Sequence, residues 1–114
     1  MTREEYLEHC RSMGGVTVDQ PFDEDFNTWV ARHTDSRKWF ALIFDVHGRP
    51  AVNLKCDPME ADFLRSVYEG VTEAYHMNKV HWNTVYFEAD VPDEELIRMT
   101  ESSFTLTDKK KRKK

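Results

Sequence analysis

The run Tyr75-His76-Met77-Asn78-Lys79-Val80-His81-Trp82 brings two imidazoles, an ammonium, a carboxamide and two stackable rings into barely two helical turns. Asn83 and Thr84 extend the polar run before Val85, Tyr86 and Phe87 turn apolar. A second polar segment, Asn53-Leu54-Lys55-Cys56-Asp57-Pro58, lies upstream. Such cations and amides suit contact with phosphates, and aromatic faces stack on exposed bases. The candidate contact residues are therefore Asn53, Lys55, His76, Asn78, Lys79, His81, Trp82 and Asn83. The plainer reading is that Asn78 and Asn83 cap turns and Trp82 seals the edge of a core.

Metal and nucleophile chemistry are weaker candidates. His76, His81, Cys56 and Asp57 are competent ligand types, and a zinc site needs about four converging donors. The two histidines stand five positions apart, which suits neither one face of a helix nor alternate strand positions. Neither C-x-x-C nor H-E-x-x-H occurs. Cys56 beside Asp57, with His81 as base, would make a nucleophile. Yet Cys56 falls on the apolar parity of its segment, where a thiol is a small hydrophobe. With four glycines there is no Gly-rich phosphate loop. The expectation is a non-enzymatic protein without metal or cofactor.

Regular elements must hold these segments. Thr2 with Glu5 forms a capping box that opens a helix with the stripe Tyr6, Leu7, Cys10 and Met13, closed by Gly14-Gly15. Residues 16–26 read as loop. Asn27 to His33 and Lys38 to Asp45 read as strands, with a turn at Thr34-Asp35-Ser36. His47-Gly48-Arg49-Pro50 turns the chain into a third strand, Ala51 to Cys56. Its alternation sets Val52, Leu54 and Cys56 on one face, Asn53 and Lys55 on the other.

Asp57 as N-cap, Pro58 in the first turn and Glu60 start a second helix. Its expected buried stripe is Met59, Phe63 and Val67 with Leu64 and Tyr68, and Gly70 stops it. A strand through Phe87 follows the Tyr75–Trp82 segment, with Trp82, Thr84 and Tyr86 on one face. Pro92 and the acids Asp93, Glu94 and Glu95 open a last helix. The expected fold is α+β and two-layer, in the order α-β-β-β-α-β-β-α. Helices should cover one face of a mainly antiparallel sheet and leave the other partly open.

A chain of 114 residues, 39% hydrophobic and 32% charged, suits one globular domain, here residues 1–108. The last six residues, Lys109 to Lys114, are all basic and read as a disordered tail. Without them ten basic residues face 21 acidic ones, so residues 1–108 carry −11, a balance that repels a polyanion. No apolar run approaches a membrane span, and Thr2 to Glu8 is no signal peptide; a cytoplasmic monomer is expected. Cys10 and Cys56 read as reduced, buried thiols.

N-L-K-C-D-P followed by Y-H-M-N-K-V-H-W-N-T-V resembles the MmcQ/YjbR family of small bacterial proteins. T-R-E-E-Y-L-E-H-C at the start, P-F-D-E-D at 21–25 and W-F-A-L at 39–42 fit the same pattern, so the resemblance spans roughly residues 2 to 106. Val80 departs from it, since the family's K-R-H run would place a basic residue there. The resemblance implies a fold of the double-wing DNA-binding type, similar also to type III secretion chaperones. The leading expectation is weak nucleic-acid binding through 53–55, 75–84 and the tail. The alternatives are a protein-interaction or chaperone-like module on the same open surface, or a small-anion binder using the histidines and Lys79.

Overall fold

The structure, a computed structural model, describes residues 1–108. The expected tail, Lys109–Lys114, lies outside the described residues. Helix α1 (Arg3–Ser12) opens on the expected capping box: Thr2 Oγ1 accepts from Glu5 N, and Glu5 returns a carboxylate to Thr2 N. It buries Tyr6, Leu7 and Cys10, and Gly15 then turns the chain at φ +77°. Helix α2 (Pro58–Val67) starts as expected at Asp57, whose Oδ2 accepts from Met59 N and Glu60 N. Helix α3 (Asp93–Thr107) begins with three acids at its positive end.

The strands are β1 (Val16–Asp19), β2 (Trp29–His33), β3 (Trp39–Val46), β4 (Arg49–Lys55), β5 (Val71–Glu73) and β6 (Trp82–Tyr86). They pair antiparallel in one sheet of order β1-β2-β3-β4-β6-β5. The order is the expected one with a further edge strand, β1, inside the segment read as loop. Val16 and Val18 face inward with His33 and Ala31 of β2, so the pairing buries half of a strand whose other half stays wet. His47-Gly48 joins β3 to β4 with both residues at positive φ, the geometry a two-residue hairpin requires.

Residues paired across strands share a face, and the registers separate two faces. One carries Trp29, Ala31, Ala41, Ile43, Val52, Leu54, Asn83 and Val85, and the three helices pack on it. Phe40 joins this core because the β2–β3 register slips between Ala31 and Arg32. Each fully buried Phe, Ile or Leu there contributes about 1.5–3 kcal/mol. Three buried hydroxyls tie α3 down. Thr100 meets Tyr6 Oη at 2.7 Å, Thr107 meets His33 Nε2 at 2.8 Å, and Ser103 donates to Phe40 O at 2.6 Å while accepting from Lys55 N at 2.9 Å.

Helix α2 bears out part of the expected stripe and corrects the rest. Leu64 is buried and Tyr68 packs against the core as expected, and Ala61 is buried with Leu64, whereas Met59 (83% exposed), Phe63 (62%) and Val67 (49%) face outward. The smaller pair wins because the sheet beneath α2 presents a polar group. Asn83 Nδ2 donates to Ala61 O at 3.2 Å and Arg65 donates to Asn83 Oδ1 at 2.6 Å, so this face must lie close to the strand.

Candidate binding face

The second sheet face carries Arg32, Trp39, Leu42, Phe44, Ala51, Asn53, Lys55, Trp82, Thr84 and Tyr86. No helix packs on it among the described residues. Lys55 lies directly opposite Trp82, and Asn53 opposite Thr84, so the expected facing of both strands holds. Arg49 sits over the Tyr86 ring at 4.1 Å.

Asn53 and Asn83, both expected to touch a ligand, are instead buried. Asn53 accepts a short hydrogen bond from Thr84 Oγ1 and donates to Tyr75 O at 2.9 Å; Tyr75 N in turn donates to Thr84 Oγ1 at 2.9 Å. Asn83 points to the opposite face, under α2. In β-strands an amide reads as surface chemistry, but a closed network of this kind satisfies it inside the core. The partners lie 22 and 31 positions away, beyond any local sequence signal.

The Tyr75–His81 segment is a strap stapled across this face. Asn78 caps its turn by accepting from Val80 N at 2.9 Å and His81 N at 3.0 Å, which is the plainer of the two readings. Lys79 Nζ donates to Ala74 O at 3.0 Å, closing the strap on itself. His76, at φ +68°, and His81 are exposed; His81 contributes its carbonyl to Cys56 N at 2.8 Å. Trp82 is half-buried beside Lys55. Of the eight candidates, Lys55 and Trp82 share a site, His76 and His81 lie on the strap, and Asn53, Asn78, Lys79 and Asn83 build the scaffold.

Sequence reasoning missed what the strap encloses. Tyr75 lies over Phe44, ring centroids 6.4 Å apart, with His76 at 4.1 Å and His47 at 5.7 Å. Between this cluster and the 20–28 loop runs an open groove of about 530 Å³. Trp39, Leu42 and Phe44 line it along β3, Phe22, Asp25, Asn27 and Thr28 along the loop, and Tyr75, His76 and Asp45 complete it. The loop is held by Asp25, which accepts from Asn27 N at 3.0 Å and Thr28 Oγ1 at 2.6 Å. The Thr28 bond, then the Asn27 bond, holds the Asp25 carboxyl below its ordinary range. The exposed Phe22 in an acidic run was the available sequence signal.

Both thiols lie inside the fold. Cys10 and Cys56 are buried and unpaired with each other. Burial pushes Cys10 up to about 12 and Cys56 up to about 11. Cys56 opens onto a cavity of about 10 Å³, room for about one water. Among the described residues no group of three or more His, Cys, Asp or Glu side chains is placed to hold a metal.

These features define a class: a two-layer α+β domain whose helices back one sheet face while loops frame a groove on the other. The chain belongs to the YjbR family, whose model, described as YjbR, matches residues 11–106. It is 35% identical to the YyaQ protein of Bacillus subtilis over 117 aligned positions, covering 94% of this chain and 98% of that one. It is 33% identical to the YjbR protein of Escherichia coli K12, covering 91% and 85%. A crystal structure of a Pseudomonas syringae protein superposes with a TM-score of 0.88 at 30% identity, covering 95% of this chain and all of that one. The Deinococcus radiodurans protein DR2400, a DUF419 domain, matches with a TM-score of 0.81 at 28% identity over 96% of this chain and 80% of that one. Among the described residues no helix is long and apolar enough to cross a membrane.

Proposed function

We propose that this chain is a small non-enzymatic binding domain that holds a segment of another protein in the groove of its helix-free face. One observation carries the reading. The polar motif acts as a staple, and what it staples is an aromatic wall, Tyr75 on Phe44, facing Trp39 and Phe22 across about 530 Å³. Apolar floors with a few polar groups at the rim suit extended peptide segments, which gain from aromatic contact at low entropic cost. Phe22 is 51% exposed and Tyr75 38% exposed, surface that a ligand would cover. Both thiols lie too high to act as nucleophiles at neutral pH, which supports the non-enzymatic reading.

Weak nucleic-acid binding remains as a second reading, favoured by Lys55 opposite Trp82 and Arg49 over Tyr86 on the same face. Three facts rank it lower. Lys79 is engaged with Ala74 O, the buried Asn53 and Asn83 are already satisfied, and residues 1–108 carry −11. Selection of displayed random peptides on the full chain separates the two. The expected result is a peptide that binds the wild type, weakens about tenfold on Phe22→Ala and is indifferent to Lys55→Ala. Failure to recover any peptide, together with duplex DNA binding at low salt that Lys55→Ala abolishes, would reverse the ranking.

A further inference from the structure

The electrostatics of the groove specify what kind of segment it takes. Its lining contains Asp25 and Asp45 and no lysine or arginine. The loop that forms one wall reads Phe22-Asp23-Glu24-Asp25-Phe26, and all five residues are exposed. Among the described residues no cation pairs with Asp23, Glu24 or Asp25 within 4.0 Å. Among the described residues Asp45 pairs with Arg3, at 3.7 Å, and Arg3 also meets Glu4 at 3.3 Å. Arg32, whose guanidinium stands 6.0 Å from the Trp39 centroid, is already matched by Asp19 at 3.0 Å.

Building on the peptide-groove reading, we infer that the occupant is a basic segment of a partner protein, with lysine or arginine alternating with apolar or aromatic residues. The groove offers such a segment two complementary features at once. Carboxylates along the loop attract and orient the cations, and the Trp39 and Tyr75 rings give them a face to stack on. Apolar neighbours of those cations would lie on Leu42 and Phe44. A phosphate-bearing ligand meets the same carboxylates as repulsion, so the groove discriminates by sign.

The test is fluorescence anisotropy of a labelled peptide alternating lysine with tyrosine, against an analogue with every lysine replaced by glutamine. Full chain, an Asp23→Asn/Glu24→Gln variant and a chain lacking Lys109–Lys114 are compared at low and high salt. Asp23 and Glu24 make no bond that holds the loop among the described residues, so the double variant should melt like the wild type. The expected result is binding of the lysine peptide at least about tenfold tighter than its glutamine analogue, weakened several-fold by the double variant and by salt. Tighter binding after removal of Lys109–Lys114 would also support the inference, with the chain's own basic terminus acting as a competitor. Equal affinity for both peptides overturns the basic preference and leaves the groove reading standing. No binding of either, while displayed selection still yields a Phe22-dependent ligand, overturns the inference alone.

Discussion

Replacing Asn53 with leucine tests whether the polar motif is scaffold or contact surface. Leucine is close in shape, so the change removes chemistry more than volume. Two hydrogen bonds disappear, from Asn53 Nδ2 to Tyr75 O and from Thr84 Oγ1 to Asn53 Oδ1. Each net bond is worth about 0.5–1.5 kcal/mol, and the Thr84 hydroxyl left buried without its acceptor adds about 1–3 kcal/mol. The Tyr75 carbonyl recovers water as the strap lifts, because Tyr75 is already 38% exposed. The sum is a loss of about 2–6 kcal/mol, and Tm falls by about 10–30 °C. Thermal and urea melts give the global figure, and amide exchange at Tyr75 and His76 gives the local one. Adding Thr84→Val removes the stranded hydroxyl, so the double variant should cost less than the sum of the two singles by about 1–2 kcal/mol. A single variant within about 0.5 kcal/mol of wild type, or strictly additive singles, would refute the scaffold argument.

On α2, Phe63→Ser should change stability by no more than about 0.5 kcal/mol while Leu64→Ser costs about 3 kcal/mol or more, measured by urea denaturation. Cys10 and Cys56 should resist a thiol-reactive dye at pH 8 in the folded protein and react quickly once it unfolds, because burial holds both thiols well above that pH. Asp90 accepts from Gly70 N at 2.7 Å and Glu69 N at 2.8 Å, bonds that hold its carboxyl below the ordinary 3.8. Its contribution is therefore complete above pH 3.8 and fades as the pH falls through the lower folded value. The gap in stability between wild type and Asp90→Asn should accordingly narrow in melts taken below pH 3.8.

Local rules made most of the fold legible. The capping box at Thr2, the Asp57-Pro58 start and the alternation of Val52, Leu54 and Cys56 each depend on neighbours within a few positions, and each appears as read. What failed depended on distant partners. Val16-Thr17-Val18 alternates like a strand, but four residues after two glycines carry too little signal to outweigh a loop. On α2 two apolar stripes compete, and residue size favoured Met59-Phe63-Val67. The outcome was set by Asn83 and Arg65, which bring the Ala61 side against the sheet. The candidate site was half legible for the same reason. The polar motif announced an unusual structure, but only the register shows that Asn53 and Asn83 occupy opposite faces and that the strap leaves Tyr75 as a wall.

The central claim, that the groove on the helix-free face is the binding surface, is tested most directly by mapping amide shifts of the isotope-labelled full chain during titration with the selected peptide. Perturbations are expected only at Phe22–Thr28, Trp39–Asp45 and Tyr75–His76. Shifts centred on Met59, Phe63, Val67 and Val80 would contradict it and place the interface on the exposed face of α2.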